Sequence, residues 1–263
     1  MTEHTDMIAN YHAHTWRCNH AYGIERQYVE AAIEKGLRIL GFSDHTPYPF
    51  PDGYVGKEKM LPSQLEDYVD TVLRLRDEYR GQIEIRLGLE AEYYPALWEA
   101  YLRLIGDYPI EYLLLGQHYI GNEYEKGRAY NGVPGHGEDD LRAYCSQCRE
   151  ALETGRFLYF AHPDLINYCG DPALYETEMR ALCRFCRERG IPLEFNLLGV
   201  REDRNYPCEA FWRIAAQEGN LVVYGSDAHW PDHVLSPEVV RKADGMLDRF
   251  GIQRSRLLRT LKI

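Results

Sequence analysis

Leu221-Val-Val-Tyr-Gly-Ser-Asp-Ala-His229 reads as a buried strand, Leu221–Tyr224, that runs straight into Gly225, Ser226, Asp227 and His229. A short apolar run rich in β-branched and aromatic residues suits a strand covered on both faces, as in parallel sheets. Residues two apart on extended chain point the same way, so Asp227 and His229 can serve one cavity.

The same order recurs along the chain. Candidate strands Met7–Tyr11, Ile39–Phe42, Ile83–Gly88, Tyr112–Leu115, Phe157–Phe160 and Pro192–Phe195 precede His12 and His14, Asp44 and His45, Glu90, His118, His162 with Asp164, and Glu194 with Asn196. Helical patterns such as IERQYVEAAIEKG, LEDYVDTVLRLRDEY, DDLRAYCSQCREALE and CEAFWRIAAQEG lie between them, and Gly36 and Gly219 are placed to stop two of these helices. Strand–helix alternation without interruption implies a parallel sheet with helices outside it. Seven such units predict a closed α/β barrel in one domain spanning residues 1–263. Barrel enzymes build their sites at the C-terminal strand ends, where these histidines and carboxylates fall.

A lone histidine on an apolar face is usually a packed or solvated residue. Seven of the ten histidines at strand ends or the loops just after them point instead to a metal centre. His4, His136 and His233 fall outside the pattern and read as loop or solvent residues.

Composition narrows the partners. Hydrophobic residues at 45% and charged residues at 27% fit a soluble globular enzyme. A net charge of −11 argues against nucleic-acid binding through a general basic surface. No run approaches the roughly 18 apolar residues a membrane helix needs, and the start MTEHTDMIAN is polar. With seven cysteines, an odd number, the expectation is a reduced, cytoplasmic protein. Cys145/Cys148 and Cys183/Cys186 have zinc-like spacing but sit in helical patterns, where buried small hydrophobes are the simpler reading. The loops from Phe50 to Leu61 and from Gly121 to Gly137, rich in Gly, Pro and Tyr, are candidate lids or substrate walls.

The segments YHAHT, GFSDHTPY, GLEAEYY, LLGQHY, AHPDL, LEFN–GVR and GSDAHWP run in order from residue 11 to residue 231. In that order the chain resembles the PHP (polymerase and histidinol phosphatase) superfamily, most of all its histidinol-phosphatase branch. The resemblance implies a distorted (β/α)7 TIM-like barrel and a cluster of two to three divalent ions. One ion would be held by His12, His14, Glu90 and Asp227. A second would share Glu90 with His118 and His162, and a third would take His20, His45 and His229. Zinc, iron and manganese all suit such donors. The chain departs from the family pattern in two places: Asn10 stands where an acidic residue is frequent, and Leu197 and Leu198 stand where small polar residues are expected.

The expected reaction is hydrolysis of L-histidinol phosphate to L-histidinol and phosphate, a step of histidine biosynthesis, by in-line attack of a metal-bridging hydroxide. Another small phosphate ester, such as a nucleotide or sugar phosphate, is the alternative. Glu90, His118 and Asp227 carry the catalysis in this reading. Asp164 is a candidate to protonate the leaving group or hold a substrate amine. Arg201 matches the family's phosphate-facing arginine, and Arg17 is a second candidate because it lies between His14 and His20. Local positive charge from the ions would also explain how an acidic chain attracts a phosphate.

Overall fold

Seven parallel strands follow one another around the sheet in chain order in the computed structural model, which describes residues 6–255. They are β1 (Ala9–Asn10), β2 (Ile39–His45), β3 (Glu84–Ala91), β4 (Tyr112–Leu115), β5 (Phe157–Phe160), β6 (Leu193–Asn196) and β7 (Val222–Gly225). Each pairs with the next in parallel register, for example Gly88 with Tyr112 and Asn196 with Gly225. Beyond the ends of β1 and β7 the ring is stitched by a bridge between Ala13 and Ala228. There His14 N donates to Ala228 O at 2.9 Å and Ala228 N to His12 O at 3.2 Å. The result is a nearly closed (β/α)7 barrel whose seam runs through the histidine-rich segment. His4 lies outside the described residues.

Strand limits differ from the sequence reading in an informative way. β1 keeps only two ladder residues, and the chain just beyond it bridges both neighbours: Ala13 O accepts from Ser43 N of β2 at 2.8 Å while Ala13 pairs with Ala228 across the seam. β2 and β3 run further than expected, so Asp44, His45 and Glu90 stand on strands, not on the loops after them.

The helices α1 (Glu25–Glu34), α2 (Leu65–Glu78), α3 (Trp98–Ile105), α4 (Glu138–Glu153), α5 (Pro172–Arg189), α6 (Leu197–Glu202), α7 (Glu209–Glu218) and α8 (Pro237–Phe250) complete the order. In α2 the buried residues Leu65, Tyr68, Val69, Val72 and Leu75 recur at three- and four-residue spacing, one stripe that packs on the sheet. Each such side chain contributes roughly 1.5–3 kcal/mol by leaving water. α5 begins where Asp171 accepts from Ala173 N and ends at Gly190, whose φ of 65° suits glycine. Cys145 and Cys148 of α4 and Cys183 and Cys186 of α5 are buried and unbridged. Burial pushes the Cys145 and Cys186 thiols up to about 12, so they pack as neutral small hydrophobes.

Inside the barrel a separate apolar cluster, including Tyr11, Tyr112, Leu114, Leu158, Tyr159 and Val223, closes the interior. The Tyr112 hydroxyl sits between the carbonyls of Tyr11 (2.8 Å) and Phe42 (3.0 Å) and donates to them. Its ring lies so close to Gly41 and Gly88 that a Cβ at either would overlap it. With this plug in place, the inward residues at the opposite, C-terminal ends of the strands are left to line a cavity. No described helix is long and apolar enough to cross a membrane.

Candidate metal centre

The nine side chains expected from sequence, His12, His14, His20, His45, Glu90, His118, His162, Asp227 and His229, converge at that C-terminal mouth. Their rings form a continuous chain: His14 lies 4.2 Å from His229 and 4.3 Å from His45 between centroids, His45 5.2 Å from His118, and His118 5.0 Å from His162. Glu90 lies among them. Its Oε1 is 2.8 Å from His162 Nε2 and 3.6 Å from His118 Nε2, and its Oε2 is 3.0 Å from His45 Nδ1.

Several of these donors have no partner. His12 Nε2, His14 Nε2 and Glu90 Oε2 are buried without a hydrogen bond. His12 Nε2 and His14 Nε2 each lie 3.6 Å from Glu90 Oε2, and they lie 3.6 Å and 3.0 Å from Asp227 Oδ1. Bond lengths of about 2.0–2.2 Å to a tetrahedral ion place ligand atoms about 3.3–3.6 Å apart. Most of these separations are too long for hydrogen bonds and match the edges of a coordination shell. Leaving such polar atoms buried and unpaired would be costly otherwise.

The outer nitrogens say which way the rings present their lone pairs. His12 Nδ1 is 2.7 Å from Glu194 Oε1, and His118 Nδ1 is 2.8 Å from Glu92 Oε1. His20 Nδ1 lies 2.9 Å from Cys18 O and His229 Nδ1 3.0 Å from Asp227 O. A carbonyl oxygen only accepts, so both Nδ1 atoms donate and both Nε2 atoms of the neutral rings carry lone pairs. Those two Nε2 atoms face each other at 2.8 Å. A metal ion beside the pair, about 2.0–2.1 Å from each nitrogen, would remove the repulsion.

Charge within the cluster follows the same logic. Burial works to raise the Glu90 and Asp227 carboxyls, but the surrounding imidazoles outweigh it and hold both well below the usual carboxylate range. Burial and the neighbouring His14 push His45 and His229 well below the ordinary imidazole value. His14 goes the other way: against burial, Asp227 and Asp44 bring it up to about 9. The carboxylates therefore draw positive charge into the cluster, and protons compete there with metal ions.

Glu194 is a carboxylate that the sequence reading placed at a strand end without giving it a role. It is fully buried on β6 and takes four contacts: His12 Nδ1, the Tyr159 hydroxyl at 3.1 Å, His162 N at 3.0 Å and Asn196 Nδ2 at 3.0 Å. It thereby orients His12 and the backbone of His162 together. Gly116 and Gly225 make room, since a Cβ would overlap Glu90 Oε1 at the first and Glu194 Oε1 at the second. His162 and Asp227 have φ of 29° and 47°, left-handed backbone that side chains rarely adopt. Such strain concentrates at functional sites. Asn10, where an acid was expected, accepts from Ser226 N at 3.0 Å and His12 N at 3.2 Å, and so staples the barrel seam.

A cavity of about 860 Å³ opens above the cluster. Within the longer connections 46–61 and 116–137, the stretches from Phe50 to Leu61 and from Gly121 to Gly137 supply walls through residues such as Tyr54, Glu58, Glu123 and Tyr130. Three of the expected site residues, Arg17, Asp164 and Arg201, do not line this cavity. Arg17 does not face the cavity: the turn Trp16–Cys18 sends it outward, where it pairs with Glu25 and Asp67 and lies 4.8 Å over the Trp16 ring. Asp164 does not line the cavity either. Its Oδ2 accepts from Cys208 N at 2.6 Å and Trp212 Nε1 at 3.0 Å, tying the start of α7 to the barrel. His233, read as a loop residue, lines the cavity, while Arg201 sits behind it with Nη2 3.5 Å from His233 O and Nη1 buried and unpaired. Arg128 and Arg204 are on the wall, and Arg204 donates to the Tyr206 hydroxyl at 2.9 Å and pairs with Glu202 at 2.7 Å. His136 is an internal staple of its loop, between Tyr130 O at 3.2 Å and Asp140 Oδ2 at 3.3 Å.

Comparison with known proteins gives a consistent set. The family model described as PHP domain matches residues 10–197. A protein of Deinococcus radiodurans named probable histidinol-phosphatase is 32% identical over 245 residues, covering 86% of this chain and 88% of its own. The histidinol-phosphatase of Bacillus subtilis is 28% identical over 248 residues, covering 83% and 92%. The crystal structure of histidinol phosphate phosphatase from Lactococcus lactis, complexed with zinc, L-histidinol and phosphate, superposes with a TM-score of 0.74 at 20% identity over 97% of both chains.

Proposed function

The chain belongs to the PHP domain family, and from that premise we propose that it is a metal-dependent phosphatase releasing L-histidinol and phosphate from L-histidinol phosphate. The observation that carries the metal part is the set of unpaired donors, His12 Nε2, His14 Nε2 and Glu90 Oε2, arranged at coordination-shell spacing. The substrate part is supported by the names of relatives and by the L-histidinol and phosphate in the Lactococcus lactis structure.

His12, His14, Glu90 and Asp227 would hold one ion, Glu90, His118 and His162 a second, and His20, His45 and His229 a third. When bound, such ions supply a water of lowered pKa, neutralise phosphoryl oxygens and stabilise the leaving alkoxide. The chain's own part is orientation. Glu194 and Glu92 fix the faces of His12 and His118, and the two backbone contacts at Cys18 and Asp227 fix His20 and His229. Arg204 is the wall cation for the phosphate, which it would meet by giving up the contacts its Nε and Nη2 make with Glu202 (2.8 and 2.7 Å), and Arg201 supports the same wall from behind His233. Glu58 on the cavity wall suits a substrate with a cationic amine, while Glu123 and Glu202 are already paired with Lys59 and Arg204.

Phosphate release from a panel of monoesters tests this reading. A preference of more than about tenfold in kcat/KM, or about 1.4 kcal/mol, for histidinol phosphate over nucleotide and sugar phosphates is expected. A smaller preference would replace the substrate assignment with a broader phosphoesterase.

A further inference from the structure

The loop 46–61 leaves β2 at His45 and carries a lysine that is only 5% exposed, Lys59. Its Nζ lies 2.6 Å from Glu92 Oε1 and 3.3 Å from Glu123 Oε2, with the Tyr48 ring 5.8 Å away. Glu92, just past β3, uses the same Oε1 to meet His118 Nδ1 at 2.8 Å. Glu123 belongs to the other wall loop, 116–137, and accepts from the Tyr94 hydroxyl at 3.0 Å. One ammonium thus sits between two buried carboxylates, and one of those carboxylates aims an expected metal ligand.

The backbone around Lys59 is fastened to the same region. Asn19 Nδ2, next to His20, donates to Lys57 O at 3.2 Å and Lys59 O at 3.3 Å. Met60 N donates to His45 O at 3.2 Å. The two loops also interlock, since the Tyr54 hydroxyl donates to Glu123 O at 3.3 Å and a Cβ at Gly56 would overlap Glu123 Oε1. The loop therefore touches the chain beside His20, His45 and His118 at once.

We propose that Lys59 is a positioning residue: acting through Glu92, it holds the His118 ring for a metal ion and makes seating of the 46–61 loop and loading of that ion mutually dependent. The physical reason is local. Glu92 Oε2 is buried without a partner, so Oε1 carries the restraint on this carboxylate's orientation. Without the ammonium, Glu92 Oε1 loses the 2.6 Å contact that restrains it and also faces the charge of Glu123 across a buried gap, so Glu92 turns and His118 loses its aim; the first loss persists when Glu123 is neutral. Coupling between two binding events is reciprocal, so whatever factor the seated loop adds to metal affinity, the bound metal returns to loop seating. The inference rests on the proposal that His118 is a metal ligand.

The test compares wild type, Lys59→Met, Lys59→Arg and His118→Ala by zinc competition with a chromophoric chelator, and by protease cleavage within residues 50–61 with and without zinc. Outer partners of metal-bound histidines are typically worth 10–100-fold in affinity. Lys59→Met is expected to weaken one zinc ion by that factor and to make loop cleavage insensitive to zinc, while Lys59→Arg restores part of both. If Lys59→Met folds poorly, Lys59→Met with Glu123→Gln balances the charge; it should regain stability and still bind zinc weakly. Wild-type zinc affinity and zinc-dependent loop protection in either Lys59→Met protein would overturn the role of Lys59. Zinc binding unchanged by His118→Ala would overturn the assignment of His118 as a metal ligand, and this inference with it.

Discussion

Nε2 of His20 and Nε2 of His229 face each other at 2.8 Å while the other nitrogen of each ring donates to a backbone carbonyl. Neutral rings held this way meet lone pair to lone pair, so the folded chain gains when a cation relieves the contact. Stripping metal with a chelator is therefore expected to lower stability as well as activity. An ion present at about a thousand times its Kd contributes about 4 kcal/mol. For a chain of this size that corresponds to a fall in Tm of about 8–16 °C. Calorimetry before and after chelation checks it, and re-addition of zinc should restore both Tm and turnover.

Glu194 and Gly225 form a second testable unit. Glu194→Gln loses the charge facing His12 Nδ1 and must turn its amide NH₂ toward one of the present donors. Metal affinity should fall about 10–100-fold. Gly225→Ala places a methyl on Glu194 Oε1 and should act in the same direction, with about 1–3 kcal/mol of lost stability from overpacking. Chelator competition and denaturant titration of the two variants measure both effects.

Asp164 separates structural from chemical roles. Its carboxylate accepts from Cys208 N and Trp212 Nε1, so Asp164→Asn should cost about 1–3 kcal/mol of stability. Its kcat should stay close to wild type below the melting range. A general acid would instead lose about 10²–10⁴-fold in kcat. Steady-state kinetics at 25 °C with a parallel urea titration decides between them.

Arg17 and Arg204 should fail in opposite ways. Arg204→Met is expected to raise KM for a phosphate monoester about tenfold or more, with little change in Tm, because a charged hydrogen bond is worth about 1.5–3 kcal/mol. Arg17→Met removes the partner of buried Glu25 and should cost about 3–5 kcal/mol of stability with KM unchanged. Kinetics and thermal melts on the pair give the comparison.

The strand ends were legible because a parallel barrel sends every inward residue at its C-terminal edge to one place, whatever the distance in sequence. His12 and Asp227, more than two hundred positions apart, needed only the strand pattern to be brought together. The role of Glu194 was harder to read, since it precedes the end of β6 and is one of two polar residues in LEFN; a charged residue inside a strand buried on both faces was the available signal. Arg17 shows the opposite failure. Nearness to His14 and His20 in sequence does not fix direction, and a three-residue turn between them points the side chain to α1 and α2 instead. Asp164 failed for a related reason: His162 turns the chain through a positive φ, and the next inward position is lost. Lys59 and Glu92 had no periodic signal, because a long loop returning to a strand end leaves no spacing rule behind.

Elemental analysis of the purified protein and its Glu90→Gln variant, run beside phosphate release from histidinol phosphate, tests the shared metal centre most directly. The expected result is two or three divalent ions per chain in the wild type, at least one fewer in the variant, and turnover reduced by about 10³-fold or more. A metal-free wild type that still hydrolyses the ester, or a Glu90→Gln variant that turns over at the wild-type rate, would contradict it.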